Sequence, residues 1–207
     1  MGRYTGPENR IWRRLGAESA PPWVQLRRET PPGQHGSGRT RGGKQSDYAK
    51  QLIEKQKLRC YYGVLEKQFR RYVAHAMRQP GATGHNLIRL LECRLDAVVY
   101  RLGLAASMRG ARQLVNHGHV QVNGRRCDIA SRAIKVGDVI SVQEKSRSMK
   151  CVREALESRG NVIPPYLAMD ARAMSGELIA EPARDQIAVN VNERLVVEFY
   201  ARRNVHE

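Results

Sequence analysis

The chain has no apolar run near the ~18 residues that a membrane-spanning helix needs, and its first ten residues, MGRYTGPENR, lack the apolar core of a secretory signal. A myristoylation motif starting at Gly2 needs serine or threonine where this sequence has Gly6. Cysteine is scarce. Cys60, Cys93, Cys127 and Cys151 stand far apart, with no C-x-x-C pair and no cysteine–histidine cluster. That spacing fits free thiols in a reducing compartment and argues against a metal or other cofactor. Aromatic residues make up only 6% of the chain, too few for base stacking to dominate recognition. No glycine-rich nucleotide loop and no catalytic dyad can be found, so no enzyme activity is expected. Acid is short as well: 20 Asp+Glu face 36 Lys+Arg, a formal net charge of +16 at pH 7. Self-repulsion of that size calls for a polyanionic partner, and arginine, which far outnumbers lysine here, suits bidentate contact with phosphate. With the membrane signals missing, nucleic acid is the expected partner.

The charge is uneven. Residues 39–71 hold ten basic and three acidic residues, 94–150 hold eleven and four, and 151–207 hold seven and nine. Two basic blocks beside a mildly acidic end point to a nucleic-acid face with a different surface elsewhere. Residues 1–45 are broken by glycine and proline, as in PPGQHGSGRTRGG at 31–43, and read as an extended basic arm with a helical turn near Ile11–Leu15. Ser46 reads as the cap of a helix running to about Tyr62. Val64, Leu65, Gln68, Phe69, Tyr72, Val73, Ala76 and Met77 then mark one face of a second helix. Further helices are expected over Asn86–Glu92 and Arg94–Leu102. The stretch Arg109–Arg126, RGARQLVNHGHVQVNGRR, has four arginines, two histidines and no acid. Ser107 caps a helix from Met108 to His117 with Ala111, Leu114 and Val115 as its buried stripe, and Gly118 ends it. Val120 and Val122 alternate with polar residues, and Asn123-Gly124 signals a tight hairpin returning over Arg125–Ile129. Ala133–Val136 and Val139–Val142 complete a small sheet. A helix follows Cys151, short strands are expected at Tyr166–Met169 and Glu177–Ala180 around Ser175-Gly176, and Asn192 caps a last helix.

Candidate contacts follow from this map. Arg109 and Arg112 lie three apart on one helix and can straddle a phosphate ridge, with Gln113 beside them. His117 and His119 either reach phosphate or serve the structure. Of Arg125 and Arg126, one is expected to face RNA and one to cross the strand. Arg39, Arg41 and Lys44 sit in a glycine-rich loop whose backbone can follow an irregular groove. Lys50, Lys55, Lys57 and Arg59 decorate one helix, and Arg70 and Arg71 the next. Tyr4 and Tyr62 are candidates for stacking on unpaired bases. Arg3 beside Tyr4, and Asn123 at the hairpin tip, complete the candidate nucleic-acid-binding set. Scattered cations of this kind read backbone and junction shape more than base sequence.

The order helix, helix, VQVNGRR hairpin, VGDVISV strand within residues 94–142 resembles the RNA-binding module named after ribosomal small-subunit protein four. The same module occurs in tyrosyl-tRNA synthetases, pseudouridine synthases and heat-shock RNA binders. The flanks RYTGP at 3–7, PPGQHG at 31–36, SDYAKQLIEKQKLRCYYGVLEKQFRRY at 46–72 and NERLVVEFYARR at 192–203 are similar to the ribosomal family itself, so the resemblance spans nearly the whole chain. It implies an α+β fold in which a mostly helical domain built from both chain ends (46–93 completed by 163–207, preceded by the arm 1–45) holds an inserted αβ module, 94–162. It further implies a cytoplasmic structural constituent of the small ribosomal subunit. Such a protein binds a multi-helix junction of the small-subunit rRNA, nucleates assembly and contributes to translational accuracy. Its implied partners are small-subunit proteins five and three and the mRNA of its own operon. The alternatives are an RNA-modifying enzyme or another RNA binder with the same module, and a DNA-binding architectural protein. One departure stands out. Many relatives carry an N-terminal cysteine cluster that binds a metal, whereas here no cysteine precedes Cys60 and the positions around Asn9, Arg13 and Glu29 offer no thiol. The arm is therefore expected to be held by RNA and by Trp12, Trp23 and Leu26.

Overall fold

The computed structural model describes residues 2, 4–33, 45–159 and 163–201. Arg3, Arg39, Arg41 and Lys44 lie outside the described residues. The chain divides into two compact units, 1–84 with 189–207 and 85–188. The architecture is α+β, as expected.

The first unit is helical. Its elements are α1 (Glu8–Leu15), a 3-10 turn at Ala17–Ser19, α2 (Asp47–Tyr61), α3 (Glu66–Arg78) and the C-terminal α8 (Glu193–Ala201). Two of the starts, those of α2 and α8, are capped by a local side chain. The Ser46 hydroxyl accepts from the Ala49 amide at 3.3 Å at the head of α2, and the Asn192 side chain accepts from the Arg194 amide at 3.2 Å at the head of α8. Gly63, at φ 59°, takes the left-handed conformation that turns the chain from α2 into α3. Packing then selects the faces. Leu58, Tyr61 and Tyr62 of the α2 end, Phe69, Val73 and Ala76 of α3, and Val196, Phe199 and Tyr200 of α8 are buried. The helix ends near the N-terminus differ from the expected extended arm: α1 has two full turns and Trp12 is only 1% exposed. Glu8 accepts the indole N–H of Trp12 at 3.5 Å and that of Trp23 at 3.2 Å. Trp23 leans on Tyr61 with ring centroids 5.1 Å apart, and Arg13 donates to the Thr30 carbonyl at 2.7 Å. The segment is a folded part of the unit, fastened by side chains.

The second unit contains α4 (Thr83–Glu92, entering from its first turn), α5 (Leu95–Arg101), α6 (Met108–Asn116) and α7 (Lys150–Arg159). Its strands are β1 (Val120–Val122), β2 (Arg125–Arg126), β3 (Val139–Val142), β4 (Leu167–Asp170) and β5 (Ser175–Leu178). All neighbours are antiparallel, in the order β2-β1-β3-β5-β4. Val120, Val122, Ile140, Val142, Leu167 and Leu178 are buried, as are all seven residues of α5, so one face of the sheet and the helices share a core. Three expectations are corrected. Residues 163–188 belong with this unit, because β4 and β5 extend its sheet, so the divides fall at 84/85 and 188/189. Ala133–Val136 is not a strand and makes a single bridge, Ala133 with Arg94. Gly176 lies inside β5, the turn being at 171–174: a Cβ there would collide with Leu102 Cδ2 and meet the Ala168 carbonyl at 2.7 Å, so glycine permits a close approach.

Two buried ionic groups organise this core. Arg101 pairs with Glu92, which also accepts the Tyr166 hydroxyl at 2.7 Å. Burial and the Glu92 charge push the Tyr166 phenol far above its usual range, so it stays a donor. Arg94 donates to both Asp96 oxygens, at 2.9 and 2.6 Å, and Asp96 also accepts the Ala97 amide at 3.1 Å. These contacts satisfy charges that would otherwise be costly to bury.

Candidate nucleic-acid interface

On α6, Ser107 accepts the Gly110 amide at 3.1 Å, and Ala111, Leu114 and Val115 are buried. The opposite face therefore presents Arg109, Gln113, Asn116 and His117, spaced i, i+4, i+7 and i+8, and all four are exposed. Gly118 at φ 74° ends the helix, and the chain enters β1 directly. Asn123 and Gly124 both have positive φ, 51° and 74°, the geometry of a type I′ turn, and Arg125 and Arg126 follow it, both exposed. Arg125 stands opposite Val122 and Arg126 opposite Gln121, so the two arginines lie on opposite faces of the sheet.

The hairpin tip is braced rather than loose. Asn123 donates to Asp138 at 2.8 Å and accepts the Val139 amide at 2.9 Å, and Asp138 accepts the Lys135 amide at 2.9 Å. Slight burial works to raise the Asp138 pKa, but the hydrogen bonds from Lys135 and Asn123 and the charges of Arg132 and Lys135 outweigh it and leave the carboxyl below its usual range. The same interactions place Arg132 and Lys135, both exposed, beside the tip. The sequence reading missed these two and Asn116. Asn116 was legible from the i+7 spacing; the other two depend on the long-range fold of the Asp138 turn.

Several candidates do not face solvent. Arg112 is 8% exposed, with Nη1 3.7 Å from Asp96, so it ties α6 to α5 and does not straddle phosphate with Arg109. Lys55 is 4% exposed, donates to Glu66 at 2.9 Å and lies 4.9 Å over the Phe199 ring. Tyr62 is 2% exposed and packs edge-on against Tyr61, leaving no face for a base. Lys57 is paired with Glu54 at 2.9 Å, and Arg59 donates to Gln56 at 2.8 Å, 3.8 Å from Glu66. Asn123 spends its side chain on the turn. Burial tends to raise the Glu66 pKa, but Tyr200, Lys55 and Arg59 hold it below the usual glutamate range; burial and Glu66 in turn push Tyr200 well up. The exposed candidates of this unit are Tyr4, Lys50, Arg70 and Arg71, the last two sharing the outer side of α3 with Lys67 and Arg78.

Among the described residues, no group of His, Cys, Asp or Glu is placed to hold a metal, and no helix is long and apolar enough to cross a membrane. The four cysteines are free; Cys93 is pushed up to about 11, mainly by burial and then by Glu92, and is a poor nucleophile.

Residues 3–92 match the model of the ribosomal protein S4/S9 N-terminal domain, and residues 93–140 match that of the S4 domain. The chain is 48% identical over 211 residues to small ribosomal subunit protein uS4 of Thermus thermophilus, an alignment covering 98% of this chain and 100% of the relative. The chain belongs to the uS4 family. The uS4 protein of Geobacillus stearothermophilus is 50% identical over 203 residues, and that of Prochlorococcus marinus 48% over 204, with the same coverage of both chains. These relatives are named as ribosomal subunit proteins, not as the enzymes that share the module. In this uS4-family chain the S4-domain match contains α5, α6, the hairpin and the start of β3, so the exposed stripe and the braced tip both lie inside it.

Proposed function

We propose that this chain is a structural constituent of the small ribosomal subunit that binds the small-subunit rRNA at a multi-helix junction, early enough to nucleate assembly. The observation that carries this reading is the exposed, predominantly cationic surface of α6 and the braced hairpin within a uS4-family chain. Arg109, Gln113, His117, Arg125 and Arg126 contact the sugar–phosphate contour there. Lys50, Arg70, Arg71 and Tyr4 supply contacts from the helical unit, and Arg3, Arg39, Arg41 and Lys44 from segments outside the described residues. A rigid backbone reader of this type selects RNA by the shape of its folds. Neighbouring small-subunit proteins five and three share the site, which lies in the cytoplasmic ribosome and contributes to translational accuracy; the message of its own operon competes for the same surface.

The test is binding of the full chain to an in vitro transcript of the small-subunit rRNA across a salt series, with duplex DNA and an unrelated RNA of equal length as competitors. Preference for the rRNA, with affinity falling steeply with salt, is expected. Equal affinity for all three polyanions would overturn the reading.

A further inference from the structure

A carboxylate stands at the tip of the cationic hairpin. Asp138 is half-buried there, while Arg125, Arg126, Arg132 and Lys135 are exposed. Coulomb's law alone makes such an acid unfavourable beside phosphate. Its hydrogen bonds account for its presence. The backbone amide of Asn123 donates to the Val139 carbonyl at 2.8 Å. The return bond of that pair ends on a side chain: the Val139 amide donates to Asn123 Oδ1 at 2.9 Å. The Asn123 amide group thus stands in for a backbone carbonyl and carries the β1–β3 ladder one residue past Val122, whose partner is Ile140. That substitution works only with Oδ1 toward Val139 and Nδ2 turned away. Asp138 imposes this orientation, because one carboxylate oxygen accepts Asn123 Nδ2 at 2.8 Å while the other accepts the Lys135 amide at 2.9 Å.

We propose that Asp138 is a positioning residue for RNA binding: by orienting the Asn123 amide it fixes the hairpin tip from which Arg125 and Arg126 reach the phosphate backbone. The inference rests on the RNA-binding reading and adds to it a group that acts through others. Two effects of the carboxylate oppose each other. Its charge repels phosphate, and its hydrogen bonds hold Asn123 and Gly124 in the turn that directs β2. Each exposed arginine loses less freedom on meeting a phosphate when the strand that bears it is already fixed. Positioning acts on both arginines at contact range, whereas the repulsion is screened by water and salt. Removing the charge therefore weakens binding, the opposite of what charge counting gives. The brace is also invertible. In Asn123→Asp/Asp138→Asn the same three bonds form with the roles exchanged: the carboxylate at 123 accepts from the Val139 amide and from the side-chain nitrogen at 138, whose oxygen accepts from Lys135. Asp-Gly suits the type I′ turn as Asn-Gly does.

The experiment measures filter binding of the full chain to the rRNA transcript at constant pH and ionic strength, with circular dichroism to check folding. Asp138→Asn is expected to bind about 5-fold more weakly than wild type, although it removes a negative charge. Asn123→Asp, which sets two carboxylates against each other, is expected to bind more weakly still. The exchanged chain Asn123→Asp/Asp138→Asn is expected to return to within about 2-fold of wild type, a coupling that independent sites do not show. In an Arg125→Gln/Arg126→Gln background, Asp138→Asn is expected to cost less than about 2-fold, because the groups it positions are gone; a purely structural role would cost the same in both backgrounds. Binding of Asp138→Asn as tight as wild type or tighter overturns the proposal. So does an exchanged chain no better than the single variants, which decides the matter even if a single variant does not fold. Each of these results leaves rRNA binding standing. Loss of the wild-type preference for rRNA over unrelated RNA overturns the underlying reading instead.

Discussion

Truncating Arg112 to alanine removes a guanidinium that is 8% exposed and 3.7 Å from Asp96. Asp96 is not stranded by the change. It keeps two bonds from Arg94, at 2.9 and 2.6 Å, and one from the Ala97 amide at 3.1 Å. The cost is therefore less than the 3–5 kcal/mol of leaving a buried charge without a partner, and comes mostly from the packed arginine stem: about 2 kcal/mol. With a urea dependence of roughly 2 kcal/mol per molar, the unfolding midpoint should fall by about 1 M. Arg109→Ala is the matched control, one turn away on the same helix but exposed. Its midpoint should move by less than about 0.25 M, while the log–log salt dependence of rRNA binding should flatten by roughly 0.7–0.9 for the lost phosphate contact. Urea unfolding followed by circular dichroism, and filter binding across a salt series, give both quantities for both variants. If Arg112→Ala left the midpoint in place and flattened the salt dependence as Arg109→Ala does, the assignment of Arg112 to the core would be wrong.

Other substitutions probe other joints. Glu66 is held below the usual glutamate range in the fold, so its carboxylate contributes stability that is present above the unfolded value and lost as pH falls through the folded one; Glu66→Gln should remove part of the acid sensitivity measured in urea midpoints between about pH 5 and 3. Gly176→Ala forces a methyl against Leu102 Cδ2 and to within 2.7 Å of the Ala168 carbonyl, and should cost about 2–3 kcal/mol in thermal or urea unfolding; a neutral result would mean that β5 is free to shift. Ser46→Ala deletes the cap of α2 and should cost about 1 kcal/mol, with Ser46→Asp restoring most of it.

What could be read from residue order alone was whatever local chemistry decides. Ser46, Ser107 and Asn192 cap helices because a short side chain reaches its own turn, and Asn123-Gly124 makes its hairpin because both residues tolerate positive φ. The exposed side of α6 follows from the burial of Ala111, Leu114 and Val115. Lys55, Tyr62 and Arg112 were misread for the opposite reason. A charged side chain on a helix looks solvent-facing until another element supplies its partner, as Phe199 does for Lys55 and Asp96 for Arg112, while Tyr62 is buried at the end of α2 against its neighbour Tyr61. The membership of 163–188 was hidden likewise, because antiparallel pairing of β5 with β3 joins segments separated by a whole helix. Gly176 resembled a turn residue, yet the need for glycine comes from Leu102, far away in the chain.

The seating of α8 on α2 has a bearing on how the molecule is made. Glu198 receives the Gln51 amide at 3.0 Å, Glu66 receives the Tyr200 hydroxyl at 2.6 Å, and Glu54 receives the Asn192 amide at 2.8 Å. A chain synthesised from its N-terminus at 5–20 residues per second exposes the receiving side of α2 for on the order of 10 s before its mate is translated. Throughout that interval Phe69 lacks its Tyr200 neighbour and Lys55 its Phe199 neighbour, while the intervening unit can close on itself as soon as it is complete. The older part of the nascent polypeptide is thus the last to be finished, and it is the part that a chaperone would find uncovered.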